Sequence, residues 1–373
     1  MTEKKPNLPA SGGKIALVHD FLTTYGGAER VLQSMHALYP EAPIYTLLDN
    51  RELVERYFPG ADIRTSWLMK LPAWLRRRPR WLLLFYPAAI ESFDLREYDL
   101  VLSSSGAWSK GLVTRLHTRH IAYLHSPMRF AWDEQRNYLK RLNLWFPLRI
   151  IGRFALSYLR VWDFQAALRP DVLIANSYFT KERIAKYYRK PSQVVYPGVA
   201  STTTENETAK REYFLVVARL TKAKNVDIVI EAMNKLNLPL VVVGDGAEEG
   251  SLRQIAGKTV RFVGKVNDQE LAQYYAGARA LIIPSEEDFG IVAVEALSHG
   301  TPVIAYARGG VREIIDDGVQ GLFFGEFMPE ILAEAILRFI QTEASFDQDS
   351  LKEKARQFGE VAFRENLRRV IEG

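Results

Sequence analysis

Short apolar, β-branched runs alternate along the whole chain with longer stretches of helical period. In the first half the runs are residues 14–20 (KIALVHD), 42–48 (APIYTLL), 98–105 (YDLVLSSS), 120–126 (HIAYLHS), 171–177 (DVLIANS) and 192–199 (SQVVYPGV). A polar stretch, residues 200–212, reads as a linker. The alternation then restarts at 213–219, 240–246, 260–265, 280–285 and 302–307. Strand-then-helix repetition of this kind predicts an α/β protein with parallel sheets. Two such series in tandem predict two doubly wound, Rossmann-like domains, at residues 1–200 and 201–356. The segment from about Asp347 onward is helical and amphipathic, and its end, 357–373, is expected to pack back on the first domain. Ligands of such sheets sit beyond the strand C-termini, so a cleft faced by both domains is the expected site.

Composition narrows the chemistry. With 373 residues the chain can fill two cores. It has no cysteine, which excludes disulfides, zinc–thiolate sites and cysteine nucleophiles. Residues 1–13 carry no apolar signal core and read as a short lead, and no apolar run approaches the roughly 20 residues that span a bilayer. The net charge of +5 is unevenly spread. Residues 1–200 carry 29 Lys and Arg against 17 Asp and Glu, whereas residues 201–373 carry 20 against 27. An anionic surface is therefore expected to meet the first half only. Residues 63–90 contain no acid and interleave Lys70, Arg76, Arg77, Arg78 and Arg80 with Trp67, Trp74, Trp81, Phe85 and Tyr86. A second basic-aromatic stretch covers 139–162. Both suit a membrane surface; a core helix with solvated arginines also accommodates them. No nucleic-acid fold signature accompanies the charge, so no nucleic acid is expected as partner.

Several short constellations could carry chemistry. In SEEDFGIVAVEAL (285–297), Glu287 precedes a helix predicted to begin at Gly290, and the amides of Phe289, Gly290 and Ile291 face its open end. A cap accounts for Glu287, but Glu295 lies among apolar neighbours, where a carboxylate is costly without a partner. Two carboxylates facing a cleft suit ligand hydroxyls. Phosphate would need cations, and Arg219 at a strand end with Lys224 near the next helix start can supply them, although both also read as solvated surface cations. GDGAEEG (244–250) has the wrong spacing for a dinucleotide fingerprint and reads as a tight turn. Gly264 ends another strand where backbone could meet a base. Gly26 and Gly27 precede a helix and would let a ligand approach its amides, and His125 ends the strand HIAYLH. A ligand-free glycine turn and a structural histidine are the alternatives. Nucleotide-binding P-loops, zinc-protease helices and nucleophile elbows are missing from the sequence, and no DxD pair of the kind that holds a metal-bound diphosphate appears.

Together these stretches resemble retaining glycosyltransferases of the GT-B fold, the large family 4 group. The resemblance rests on Glu287 and Glu295 with Phe289-Gly290 between them and EALSHGTPVIA after, and on the Arg219 and Lys224 spacing. It covers residues 213–325, with Asn225 standing where glycine is commoner. YDLVLSSSGAWSKGL and HIAYLHSPMRFAWD resemble bacterial O-antigen and exopolysaccharide mannosyltransferases. The resemblance implies a nucleotide-sugar donor, with GDP-mannose the best single choice, and a lipid-linked glycan acceptor. It also implies residence on the inner face of the cytoplasmic membrane, and no metal or other cofactor. Arg219 and Lys224 would neutralise the diphosphate, Glu287 would take sugar hydroxyls and Glu295 the ribose. Gly26 and Gly27 would admit the diphosphate, and His125 would meet the sugar near its reacting face.

Overall fold

The computed structural model describes residues 13–141, 145–200 and 211–373. Most of the polar lead (1–12), most of the linker (201–210) and residues 142–144 of the second basic-aromatic stretch lie outside the described residues. The chain divides into two compact units. One runs to Gly198 and takes in Phe363–Gly373; the other is Val199–Ala362.

The first unit is built on a seven-stranded sheet: β1 (Ile15–Leu22), β2 (Ile44–Asp49), β3 (Ile63–Thr65), β4 (Leu100–Ser105), β5 (Arg119–Leu124), β6 (Val172–Ala175) and β7 (Gln193–Val194). The order is β3-β2-β1-β4-β5-β6-β7, and every neighbouring pair is parallel. Successive β1 residues feed opposite layers, as strand geometry demands. Ala16 and Val18 pack with Tyr86, Trp108, Leu159 and Trp162. Leu17 packs with Val31, Leu32 and Ile121 and with Phe363, Leu367 and Ile371 of the C-terminal helix Glu360–Glu372.

The second unit repeats the plan with six strands: β8 (Tyr213–Val217), β9 (Leu240–Val243), β10 (Val260–Gly264), β11 (Ala278–Ile283), β12 (Val303–Tyr306) and β13 (Gly321–Phe324). Their order is β10-β9-β8-β11-β12-β13, again all parallel. Phe214, Val216, Ile230, Met233, Ile304 and Phe339 lie in its core. In each unit the strand order reverses beside the first strand, between β1 and β4 and between β8 and β11. Loops diverge there and leave a crevice at the strand C-termini.

Three features depart from the sequence pattern. β3 is an edge strand of three residues, too short to show a period, and β13 (GLFF) has no alternation. The acid-free stretch forms not one core helix but short turns at Trp67–Lys70, Ala73–Arg76, Pro79–Leu82 and Tyr86–Glu91. Pro72, Pro79 and Pro87 explain this, because proline removes a backbone donor and clashes with the preceding turn.

Candidate active site

In the second unit the loops after β8 and β11 bring Lys224 and Glu287 together. Lys224 Nζ lies 2.5 Å from Glu287 Oε1, and Ser285 Oγ donates to the same oxygen at 2.5 Å. The pair is partly open, with side chains 30% and 20% exposed. An ammonium has three donors, so Glu287 occupies one and leaves others to a ligand. Among the described residues nothing donates to Glu287 Oε2, and nothing pairs with the exposed Arg219 guanidinium.

Backbone geometry holds these groups in place. Lys224 ends a 3₁₀ turn (Lys222–Lys224), and Asn225 follows with φ 46°, a left-handed conformation. Glycine adopts that region most easily, and asparagine is one of the few other residues that visit it. Asn225 adds something glycine lacks: its Nδ2 donates to Pro284 O at 3.0 Å, tying the Lys224 loop to the Glu287 loop. The Arg219 loop lies against GDG: Leu220 N donates to Asp245 O at 2.7 Å. A Cβ on Gly244 or Gly246 would come within 2.0 Å of Ala218 O or 2.3 Å of Leu220 O. These glycines serve loop packing, in keeping with the tight-turn reading. Gly264, at φ 75°, accepts from Gly244 N at 2.8 Å through its carbonyl.

The helix after Glu287 is Ile291–Ser298, and Gly290 caps it at φ 106°, which requires glycine. No described residue accepts from the amides of Gly290 or Ile291. The Phe289 ring is buried against Phe358, so its side chain is part of the core and only its backbone belongs to the helix end. Glu295 is buried, and Tyr275 OH donates to its Oε2 at 2.7 Å. The sequence reading missed this partner, which lies 20 positions away on another helix. It also missed Gly309 and Gly310. Gly310 N donates to Glu287 O at 2.8 Å, and a Cβ there would reach Asp288 O at 2.3 Å.

In the first unit, Gly26 caps and Gly27 opens the helix Gly27–Leu38. Gly26 is extended, at φ −160°, so its conformation does not demand glycine. His125 follows β5, and its Nε2 lies 2.8 Å from Ser104 Oγ at the end of β4. Ser104 in turn lies 3.1 Å from Nδ1 of buried His19 on β1. Next to His19, the Asp20 carboxylate accepts from the amides of Gly106, Ala107, Trp108 and Ser109, at 3.0, 2.6, 3.1 and 2.6 Å. Beneath that loop, fully buried Lys110 pairs with fully buried Asp163 at 2.6 Å. Asp163 also accepts from Trp132 Nε1 at 2.7 Å and from Tyr188 OH at 2.8 Å. His19, Asp20, Ser104 and Lys110 escaped the sequence reading. The one available signal was the polar cluster SSSGAWSK at a strand end.

The helix Phe146–Leu168 shows two apolar faces. Leu156, Leu159, Trp162 and Ala166 are buried, whereas Leu148, Ile151, Phe154, Tyr158 and Val161 are exposed, Phe154 by 74%. Trp145, just before it, is 69% exposed. Arg149 and Arg153 lie on the exposed side. Trp74, Trp81 and Phe85 are exposed as well, with Arg77, Arg78 and Arg80 beside them. No helix among the described residues is long and apolar enough to cross a membrane.

Comparison with known proteins fits this geometry. Residues 25–202 match the family described as Glycosyltransferase Family 4, and residues 202–361 match Glycosyl transferases group 1. The uncharacterized glycosyltransferase MJ1178 of Methanocaldococcus jannaschii is 30% identical over 199 residues, 52% of this chain and 54% of that protein. A D-inositol 3-phosphate glycosyltransferase of Nocardioides is 31% identical over 224 residues, 49% of each chain. The chain thus spans about half the length of the curated relatives it matches. The crystal structure of Anabaena HepE in complex with UDP and glucose superposes with a TM-score of 0.69 at 20% identity. The match covers 96% of this chain and 99% of that one. The fold is GT-B.

Proposed function

We propose that this chain, a family 4 domain followed by a group 1 domain, transfers a sugar from a nucleoside diphosphate sugar with retention of configuration. The observation that carries the reading is the Lys224–Glu287 pair at the β8/β11 crevice, with Arg219 beside it on the β8 loop. Arg219 and Lys224 offset the donor diphosphate and the charge that grows on it as the leaving group departs. Glu287 accepts from hydroxyls of the transferred sugar, the amides from Phe289 to Ile291 lie nearby, and Glu295, steadied by Tyr275, takes the ribose. Gly264 lies near the base. In the first unit His125 meets the sugar, and Gly26 and Gly27 leave room for the diphosphate. The acceptor oxygen bonds to the anomeric carbon on the face that the diphosphate leaves, and its proton passes to a diphosphate oxygen. Two protein cations stand in for a metal, so the reaction is expected to run at full rate in EDTA.

GDP-mannose is the first donor to test. UDP-glucose, whose parts occupy the HepE structure, is its direct competitor. A thermal-shift screen of nucleotide sugars, followed by transfer assays, tests the reading, since a bound donor raises apparent stability. The reading fails if no nucleotide sugar shifts the protein, or if Lys224→Ala transfers as well as wild type.

The acceptor is read as a lipid-linked glycan, with the protein resting on the anionic inner face of the membrane. The second apolar face of Phe146–Leu168, flanked by Arg149 and Arg153, supports this, because tryptophans, aliphatics and arginines together suit a lipid interface. Co-sedimentation with phosphatidylglycerol vesicles should weaken as salt rises and nearly vanish for Phe154→Asp/Ile151→Asp. Binding indifferent to both would favour a soluble acceptor, the kind named for the inositol phosphate relative.

A further inference from the structure

We propose that Glu29, His19 and Ser104 form a relay that sets which ring nitrogen of His125 carries hydrogen; this rests on reading His125 as the sugar-facing residue of the first unit. The fold assembles the chain of groups directly. His19 on β1 and Ser104 on β4 are register partners, and Ser104 pairs in register with Tyr123 on β5. His125, two residues beyond Tyr123, therefore shares their face. The distances run 3.4 Å from Glu29 Oε1 to His19 Nε2, 3.1 Å from His19 Nδ1 to Ser104 Oγ, and 2.8 Å from Ser104 Oγ to His125 Nε2. All of this lies at the β1/β4 reversal, where the fold concentrates its ligand-facing loops.

A serine hydroxyl has one hydrogen, so it donates to one of its two histidines and accepts from the other. When His19 is neutral, its Nε2–H points to the Glu29 carboxylate, which can only accept. His19 Nδ1 is then an acceptor and takes the serine hydrogen. Ser104 accepts from His125, whose hydrogen is on Nε2 and whose Nδ1 is an acceptor. When His19 is cationic, both its nitrogens donate. Ser104 then turns its hydrogen to His125 Nε2, and His125 carries its own on Nδ1, as a donor. One proton on His19 thus converts His125 from acceptor to donor at the other end of the ring.

The titratable groups facing His19 are Glu29, from the helix Gly27–Leu38, and His125. Asp20 is turned to the opposite face of β1 and engages the loop amides. Tyr123, packed edge-on against His125, is held neutral because burial raises its phenol well above the usual range. Burial pushes Glu29 upward, but the hydrogen bond and charge of His19 outweigh it and leave the carboxyl below its ordinary value.

Histidine ¹⁵N–¹H correlation spectra of the full chain test the relay, with His125 signals assigned from their loss in His125→Gln. In wild type, lowering the pH should move the His125 hydrogen from Nε2 to Nδ1. Ser104→Ala should abolish that switch, and Ser104→Thr should restore it. A His125 tautomer that ignores His19 in wild type, or switches equally in Ser104→Ala, overturns the relay and leaves the transferase reading standing. In the transfer assay, kcat should change over the same pH range with donor KM steady, and this change should be lost in Ser104→Ala. Coupled spectra with a flat kcat profile would instead overturn the placing of His125 at the sugar.

Discussion

The two units share one topology and treat its crevice in opposite ways. At the β1/β4 reversal, polar groups are buried and matched to one another: His19 to Ser104, Asp20 to four amides, and Lys110 to Asp163 just below. At the β8/β11 reversal the charged groups are partly open and incompletely matched, with Arg219 exposed and Glu287 paired through one oxygen. Burial makes the first set a matter of geometry, since each group needs its partner to offset desolvation. Exposure leaves the second set able to exchange partners for a ligand. In the first crevice these buried groups are satisfied by one another; in the second the charges are left to a ligand.

That contrast predicts which substitutions unfold the protein and which only silence it. All seven tryptophans fall between residues 67 and 162, so their fluorescence follows the first unit alone. The largest effect is expected at the buried pair. Lys110→Met should cost about 3–5 kcal/mol by leaving Asp163 charged and unpaired, read as a lower urea midpoint of tryptophan fluorescence. Adding Asp163→Leu should recover only part, because Trp132 and Tyr188 then lose their acceptor. In the open crevice, Glu287→Ala and Lys224→Ala should leave the urea midpoint of circular dichroism, which follows both units, in place and lower kcat/KM for transfer by about 10²–10³. An unfolding effect as large as that of Lys110→Met would erase the distinction.

Smaller changes sharpen the same comparison. Asn225→Gly keeps the left-handed backbone and loses only the tie to Pro284 O, about 1 kcal/mol; Asn225→Val should add a further ~1–2 kcal/mol of backbone strain. Circular dichroism of urea unfolding, compared with tryptophan fluorescence, would locate that loss in the second unit. A further effect is a pH dependence confined to the first. Burial, aided by the charge of Lys190, depresses His120 to about 3. The unfolded chain therefore binds a proton that the folded one refuses between the ordinary histidine value near 6.5 and 3. Stability should fall by about 1.4 kcal/mol for each pH unit below that upper limit. The tryptophan midpoint should drop between pH 7 and 5 in wild type, and less in His120→Gln.

The parallel sheets were readable because their strands are apolar runs bounded by turn residues; β3 and β13 were missed, although β6, β9 and β12 are no longer than β13. Glu287 and Lys224 stood out by spacing within one crevice. Their supports did not. Tyr275 and Gly310 reach the site only through helix packing and a loop contact between distant positions. The first crevice was the least legible. His19 meets Ser104 across 85 positions, a pairing that exists only once β1 and β4 lie in register. A histidine and a serine read singly along the chain carry no sign of that neighbourhood.

The glycines around the open crevice also bear on how a mutational survey should be interpreted. Gly244, Gly246 and Gly310 have another loop's carbonyl where a side chain would begin, at 2.0–2.3 Å. Alanine at any of them would push a neighbouring loop aside and could abolish transfer with no ligand contact removed. Gly290 and Gly264 have no such obstruction within 3.4 Å, only a left-handed backbone. Two kinds of indispensable glycine would therefore score alike in a screen for lost activity. Asparagine at Gly264, where φ is 75°, separates them: it tolerates the left-handed region but not the collision.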